Sequence, residues 1–236
     1  MNDWQHRLLW FAAYWNLFPC PLCGHGAGDG INRFCDACAA KMIPVKEPAC
    51  PACGGFLDTI FGRCSHCQWE QPRPWLRAVA LYEYRGAVRD AVTRLKFHHA
   101  PHLIRGLAEP AADAVRRTGE PVDLLVPVPL HWGRFWQRGY NQSEIFARYC
   151  AARLGVPCCR ALKRTRPTPH QLSLSRRERL ANLKGAFAVV DPEKIKGRNV
   201  WIVDDVLTTG ATLSECSRTL LQAGAKTTRV LVIARA

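Results

Sequence analysis

The sequence predicts an α/β protein in which helices cover both faces of a parallel sheet, preceded by a small cysteine-rich module. Three observations support this prediction. Apolar strand-like segments alternate with helical segments from residue 76 onward, one apolar run ends on paired aspartates, and four Cys-x-x-Cys pairs occupy residues 20–67. Alternation of wholly apolar strands with helices is typical of parallel sheets. We therefore assign residues 1–75 to the module and residues 76–236 to the sheet domain.

The first element is the apolar segment "WQHRLLWFAAYWNLF", which we interpret as an amphipathic helix docked on the body of the protein. A secretory signal peptide is the alternative, but Pro19-Cys20 follows where a small-residue cleavage site is expected. No apolar run approaches the roughly 20 residues that a membrane span requires. We therefore expect a cytoplasmic protein that does not insert into a membrane.

The cysteine-rich module follows, with eight of the 12 cysteines in evenly spaced Cys-x-x-Cys pairs. Two such pairs complete a tetrahedral four-sulfur site for Zn²⁺, so the module predicts two structural zinc ions. A disulfide scaffold is the alternative, which the even spacing and the missing signal peptide disfavour. Sequential pairing is the simplest arrangement, although spacing alone leaves an interleaved one open. The candidate zinc ligands are Cys20, Cys23, Cys35 and Cys38 in the first ribbon and Cys50, Cys53, Cys64 and Cys67 in the second.

The sheet domain is predicted from apolar runs and from helical periodicity. The predicted strands are 77–84, 122–130, 156–162, 197–205 and 227–235, and the predicted helices are 86–99, 103–117, 141–155 and 212–224. Ligands of such sheets bind beyond the carboxyl ends of the strands. The segment that follows the strand 197–205 is therefore the first place to look for a functional site.

That segment, "DDVLTTGATL", combines two kinds of binding group. Asp204 and Asp205 end a buried strand, where two like charges need a metal ion, sugar hydroxyls or an arginine to compensate them. The turn 208–212 leads into a helix, whose first N–H groups and dipole attract an anion. Carboxylates for ribose and amides for a phosphate together predict a sugar-phosphate site. The alternative is an N-capped turn beside a surface pair of aspartates.

The net charge of +14 is distributed unevenly along the chain. Residues 1–75 carry equal numbers of acidic and basic side chains, so the whole excess lies in residues 76–236. About half of it lies between residues 160 and 187. A basic domain behind a neutral module favours partners that carry phosphate groups.

The segment "VWIVDDVLTTGAT" resembles the phosphoribosyl-pyrophosphate signature of type I phosphoribosyltransferases. With the four cysteine pairs and the segments "VPVPLHWGRFWQRGYNQ" and "RTRPTPHQLSLSRRERLANLKGAF", the whole chain is similar to the ComF/GntX family. That family joins an N-terminal double zinc ribbon to a phosphoribosyltransferase-like domain and is linked to DNA uptake in bacterial competence. The resemblance implies this architecture here.

The resemblance also implies roles for individual residues. Asp204 and Asp205 would hold the ribose hydroxyls, directly or through Mg²⁺, and "VPVPLH" resembles the pyrophosphate loop. The implied phosphoribosyl-pyrophosphate ligands are Asp204, Asp205, Thr208, Thr209, Gly210, Ala211, Thr212, Pro129, Leu130, Arg134 and Arg138. The implied catalytic residues are Asp204, Asp205, Arg164 and Lys96, and Arg166, Arg176 and Arg179 are further candidates in the catalytic loop. For Arg134 and Arg138, ordinary surface charge is the alternative.

Three functions fit these residues. The first is handling of single-stranded DNA in competence, with phosphoribosyl pyrophosphate or a nucleotide in the site and the DNA-uptake machinery as a partner. Trp132, Phe135, Trp136 and Tyr140 would then stack on bases, unless they belong to the core. The second is an active phosphoribosyltransferase that transfers the phosphoribosyl group to an unidentified base or amine and releases pyrophosphate. The third is a sensor of phosphoribosyl pyrophosphate without turnover.

Overall fold

A computed structural model of the protein describes residues 20–25, 34–70, 72–130, 132–166 and 183–236. Within these ranges the core is a parallel sheet with the strand order β1-β6-β5-β2. Its strands are β1 (Ala78–Glu83), β2 (Leu124–Pro127), β5 (Asn199–Leu207) and β6 (Thr227–Arg235). A separate antiparallel hairpin joins β3 (Leu162–Arg164) to β4 (Phe187–Val189). The predicted parallel α/β fold is confirmed.

Six α-helices surround the sheet in the described ranges. They are α1 (Asp36–Ala39), α2 (Gly86–Phe97), α3 (Arg105–Arg117), α4 (Trp132–Arg138), α5 (Gln142–Leu154) and α6 (Ala211–Gln222). Two short 3₁₀ turns, Pro101–Ile104 and Pro192–Lys194, complete the regular structure. None of the helices in the described part of the chain is long and apolar enough to cross a membrane.

The central strand β5 shows why the sheet is buried on both faces. Its side chains alternate in direction, so Trp201 and Val203 pack with α2, α3 and α5 while Val200 and Ile202 pack on the other side with α6. All four are fully buried. The sequence therefore shows a continuous apolar run where a half-exposed strand would alternate with polar residues.

The predicted strand 156–162 is wrong. Cys158 makes only one parallel bridge, to Leu125 at the open edge of β2, before the chain turns away into β3. Pro157 accepts the N–H of Leu125 through its carbonyl but has no N–H of its own to donate. Toward the carboxyl end, the next residue of β2 that would donate to this segment is Pro127, which also lacks an N–H, so two prolines together reduce the predicted fifth strand to a single pair.

The cysteine-rich module packs directly on the sheet domain. The chain after the first ribbon forms an antiparallel bridge between Pro44 and Tyr82, at the edge of β1. The carbonyl of Pro51, inside the second ribbon, accepts the N–H of Ala78 at 2.8 Å. Cys20 and Cys38 lie in the core on the α3 face of the sheet, whereas the second group of cysteines lies in the core on the α6 face. The two ribbons therefore cover opposite faces.

Two glycines of the second ribbon provide a test of this packing. Gly54 (φ 68°) and Gly62 (φ 72°) are both left-handed, but a Cβ on Gly54 would lie 2.9 Å from the amide nitrogen of Ala80, whereas one on Gly62 meets open space. Gly62→Ala should lower the free energy of unfolding by about 1–2 kcal/mol through backbone strain alone. Gly54→Ala should cost about 1–3 kcal/mol more, because the ribbon must move off β1. Urea denaturation with zinc present measures both. Equal losses would show that the second ribbon is not packed on the sheet.

Candidate functional site

The two aspartates of the candidate site lie on β5 near its carboxyl end. The strand continues through Val206 to Leu207, so the prediction that Asp204 and Asp205 end it is off by two residues. Successive side chains of a strand point to opposite faces. Asp205 therefore shares the face of Val203, toward α2 and α5, and Asp204 shares the face of Ile202.

Asp205 is buried and paired on both of its carboxylate oxygens. Gln142 donates its side-chain N–H to Oδ2 at 2.8 Å, and the ammonium of Lys96 lies 3.0 Å from Oδ1. Lys96 comes from the last turn of α2 and Gln142 from the first turn of α5. The structure thus brings together two of the predicted residues, Lys96 and Asp205, although they are far apart in the chain.

Asp204 is compensated less completely than its neighbour. Its Oδ1 accepts the hydroxyl of Ser143 at 2.7 Å and the backbone N–H of Asp205 at 2.9 Å. Burial raises the pKa of Asp204 to about 7, the negative charge of Asp205 adds to the increase, and the hydrogen bonds and Lys96 oppose it. A carboxylate that is costly to ionise gains from any cation or hydroxyl donor that approaches it.

The turn after β5 is shaped to hold an anion. Gly210 has φ 76°, a left-handed conformation that favours glycine, and it directly precedes α6. The backbone N–H groups that open this helix have no acceptor within the helical ladder, and the helix dipole adds partial positive charge there. We call the turn 208–212 the phosphate loop. It lies beside the aspartates at the carboxyl edge of the sheet.

A cavity of about 340 Å³ brings together other predicted residues. Pro129 and Leu130, from the loop after β2, line it together with Arg164 on β3. The guanidinium of Arg164 also lies 5.5 Å from the centre of the Phe187 ring. The cavity gives the proposed pyrophosphate loop and one candidate catalytic arginine a common wall.

The remaining predicted cations are described only in part. Arg138 lies 5.3 Å above the ring of Phe97, at the end of α2. Arg166 donates to the carbonyl of Lys184 at 3.0 Å. The backbone of Arg134 belongs to α4, but its side chain is outside the described residues, as are Arg176 and Arg179. Their roles stay predictions.

The aromatic residues around α4 are mostly on the surface. Trp136 is 80% exposed and Phe135 45% exposed, so the alternative that places them in the core is wrong. Tyr140 is half-buried and donates its hydroxyl to the carbonyl of Leu95. The side chain of Trp132 is outside the described residues. Phe97, which the sequence did not suggest, is 67% exposed and joins this surface.

The eight paired cysteines form two groups in sequential order, as predicted. The ligand atoms of each group lie within 4.8 Å of one another: Cys20, Cys23, Cys35 and Cys38 in the first, and Cys50, Cys53, Cys64 and Cys67 in the second. All twelve cysteines are in the described ranges and are free. The cysteines are thus grouped sequentially and not in the interleaved arrangement, and none of them lies in a disulfide.

The geometry of both groups fits a zinc ion. The Sγ atoms of Cys23 and Cys35 are 3.8 Å apart and those of Cys53 and Cys64 are 3.7 Å apart. A tetrahedron with Zn–S distances of about 2.3 Å requires about 3.8 Å between sulfurs. The same backbone contact recurs in each ribbon, since the N–H of Cys35 points to the sulfur of Cys20 and that of Cys64 to Cys50, both at 3.4 Å. Each group could hold one Zn²⁺.

Comparison with known proteins agrees with this architecture. Residues 141–236, which contain the aspartates and the phosphate loop, match a family model described as a phosphoribosyl transferase domain. The DNA utilization protein YhgH of Salmonella typhi is 37% identical over 85% of this chain and 89% of its own length. Competence protein F of Haemophilus influenzae is 32% identical over 93% of this chain and 97% of its own length.

The chain belongs to the ComF family. Competence protein ComFC of Bacillus subtilis, a more distant relative, is 26% identical over 82% of this chain and 80% of its own length. A solved structure of glutamine phosphoribosylpyrophosphate amidotransferase from B. subtilis overlaps 59% of this chain and 30% of its own at a TM-score of 0.41 and 18% identity. That last likeness carries no further argument.

Sequence reasoning missed two residues of this ComF-family site, Gln142 and Ser143. Both are buried polar residues in the first turn of α5, and each bonds to one of the aspartates. Asn141 caps the helix by accepting the N–H of Ser143 at 3.1 Å and donates to the carbonyl of Val128 at 3.0 Å. The only available signal was a run of three polar residues at the start of a predicted helix, which is equally typical of an exposed N-cap.

The raised pKa of Asp204 makes a prediction about stability. The unfolded chain releases this proton near pH 4 and the folded chain near pH 7, so stability that is present below pH 4 is lost as the pH rises to 7. Asp204→Asn should therefore be more stable than the wild type at pH 8, by about 1–3 kcal/mol, with a smaller difference at pH 5. Thermal unfolding without magnesium or sugar phosphate measures this. Asp191→Asn, at a partly exposed carboxylate that pairs with Lys194, is the control and should show no such gain. A gain for Asp204→Asn that is equal at both pH values would contradict the assignment.

Proposed function

We propose that this ComF-family protein acts in DNA utilisation, with a site for a phosphorylated ribose beside a surface that binds single-stranded DNA. One observation carries the proposal: Asp204, Asp205 and the phosphate loop meet at one edge of the sheet. The relatives are a DNA utilization protein and a competence protein, which is why DNA is the proposed partner. Phosphoribosyl pyrophosphate and a nucleotide are the ligands that share the required ribose phosphate.

The two parts of the site suit the two parts of such a ligand. Carboxylate oxygens of Asp204 and Asp205 accept hydrogen bonds from ribose hydroxyls. The first N–H groups of α6 and its dipole bind the 5′-phosphate. The ammonium of Lys96, which lies 3.0 Å from Oδ1 of Asp205, supplies a positive charge next to the place where a pyrophosphate would lie. Arg164 lines the neighbouring cavity together with Pro129 and Leu130.

The pair of carboxylates also fits Mg²⁺. Oxygen ligands are those that this ion prefers, and it is commonly bound by one or two carboxylates together with substrate phosphates. Asp204 and Asp205 would hold it, and its charge would remove the cost of ionising Asp204 that the raised pKa expresses. When bound, the ion would neutralise charge on a pyrophosphate group.

The first test is binding of magnesium phosphoribosyl pyrophosphate. The wild type should bind it, and Asp205→Asn should bind about ten- to a hundredfold more weakly because it loses a charged hydrogen-bond acceptor. Isothermal titration calorimetry measures the affinity, and Asp191→Asn serves as a surface control. Equal affinity for Asp205→Asn and the wild type would refute the site. A parallel assay of pyrophosphate release with bases and amines decides the alternative: release that Asp205→Asn abolishes would identify an active phosphoribosyltransferase.

The DNA-binding surface follows from the exposed aromatic residues. Phe97 directly follows Lys96 at the end of α2, and Arg138 lies over the Phe97 ring at 5.3 Å. Trp136, 80% exposed, belongs to the same helix α4 as Arg138. Aromatic rings among cations are the usual platform for single strands, because every base can stack and every phosphate is attracted. The net charge of +14 supports the same partner.

The second test compares exposed aromatic residues in different places. Trp136→Ala and Phe97→Ala should each weaken binding of a short oligothymidine by about 5- to 150-fold, since a stacked base contributes about 1–3 kcal/mol. Trp69→Ala is the matched control, because Trp69 is 86% exposed but lies on the second ribbon. Fluorescence anisotropy at several salt concentrations gives the affinities. The salt slope should stay unchanged, because no charge is removed. A loss for Trp69→Ala as large as for Trp136→Ala would refute this surface.

A further inference from the structure

The second ribbon reaches the phosphate loop through one buried arginine, Arg73. Its side chain is 8% exposed, and its Nη1 donates to the carbonyl of Thr209, inside the loop, at 2.7 Å. Its Nη2 donates to Glu70 at 2.7 Å, just after the last cysteine of the ribbon. Arg73 thus holds a backbone carbonyl of the phosphate loop in place.

The packing around Arg73 leaves the loop little freedom. A Cβ on Gly210 would lie 2.7 Å from Nη1 of Arg73 and 3.1 Å from the Trp75 ring. Trp75 is buried beneath the guanidinium, 5.4 Å from the ring centroid to Cζ, and donates its indole N–H to the carbonyl of Ala52 at 3.0 Å. Ala52 lies within the Cys50-x-x-Cys53 pair. A continuous set of contacts therefore joins the cysteine group to the glycine of the phosphate loop.

Charge reinforces this connection. A divalent metal bound by four thiolates carries a net charge of about −2. Burial lowers the pKa of Arg73, while the negative charges of Cys67 and Cys53 oppose that change. Arg235, at the end of β6, contributes to lowering the pKa of Cys53, and its Nη1 donates to the carbonyl of Leu207, just before the loop, at 3.5 Å. Arg73 and Arg235 therefore lie near the thiolates and also contact two backbone carbonyls, one inside the loop and one just before it.

We propose that Arg73 is a positioning residue that couples metal binding at Cys50, Cys53, Cys64 and Cys67 to phosphate binding at Thr208–Thr212, with Arg235 supporting it. The inference rests on the proposed sugar-phosphate function for its ligand, but the contacts themselves do not. The first cysteine group packs on the opposite face of the sheet and has no such role. Metal loss from the second group should therefore disorganise the loop, and loss from the first should not.

Coupling between two sites is reciprocal, so a ligand at the loop must also stabilise the metal. Magnesium phosphoribosyl pyrophosphate should slow the release of one of the two zinc ions to a chromogenic chelator by about tenfold and leave the other unchanged. In Arg73→Met both ions should be released at rates that the ligand does not alter. Arg94→Met is the matched control, because Arg94 donates to the carbonyl of Leu22 in the first ribbon. Its ligand-dependent protection should equal that of the wild type.

A second measurement needs no ligand. Hydrogen exchange of the amides of residues 214–217, the first hydrogen-bonded ones of α6 after the loop, should be about ten- to a hundredfold faster in zinc-loaded Arg73→Met than in the wild type, with Arg94→Met unchanged. Arg73→Lys, which keeps the charge but can make fewer hydrogen bonds, should be intermediate. If Arg73→Met loses zinc or unfolds, the same measurement on Arg73→Lys tests the proposal instead.

Unchanged exchange of the amides of residues 214–217 together with unchanged zinc protection would overturn the proposal. A wild type that binds no phosphoribosyl pyrophosphate, with faster exchange of these amides in Arg73→Met, would instead refute the proposed function and leave the coupling standing.

Discussion

Two adjacent carboxylates on a buried strand impose the main constraint on this structure. Ionising both in an apolar sheet is unfavourable, and the surrounding elements compensate one of them more fully than the other. Asp205 has an ammonium and an amide donor, whereas Asp204 has a hydroxyl and a backbone N–H, and its pKa is raised. A site that stabilised both completely in the free protein would leave less to gain when a cation or a sugar binds. The incomplete compensation is thus consistent with a binding role.

The cysteine-rich module contributes buried side chains to the hydrophobic core of this protein and is not a separate appendage of the sheet domain. A short, polar module of this kind gains its folding free energy from metal binding. Here all four cysteines of the second group are buried in the same apolar cluster as α6 and β6, and Pro51 accepts a hydrogen bond from β1. The first group is less enclosed, with Cys23 exposed. A metal ion in the second ribbon can therefore influence the sheet domain more directly than one in the first ribbon, although the internal hydrogen bonds of the two ribbons match.

Much of the fold could be predicted from sequence because its signals are local. Runs of apolar residues predicted the strands, and the even spacing of the cysteines predicted their grouping. Neither prediction depends on residues elsewhere in the chain. The contacts of Gln142, Ser143 and Arg73 could not be predicted, because each depends on a partner more than 60 residues away. The strand at 156–162 was wrongly predicted because its pairing also depends on the neighbouring strand: Pro157 and Pro127 both lack the N–H that would extend the ladder, and the sequence does not show that these two segments lie side by side.

The proposed ligand and the proposed DNA surface meet at two consecutive residues. Lys96 points to Asp205, inside the site, while Phe97 is exposed beside Arg138. A helix that ends at such a boundary can contact a ribose phosphate with one residue and a stacked base with the next. Phosphoribosyl pyrophosphate or a free ribonucleotide offers two ribose hydroxyls to the aspartates, whereas a DNA strand has no 2′-hydroxyl and uses its 3′-oxygens in the backbone. The ribose phosphate and the proposed DNA strand would therefore bind as two separate ligands that meet at the end of α2, with Lys96 facing the first and Phe97 the second.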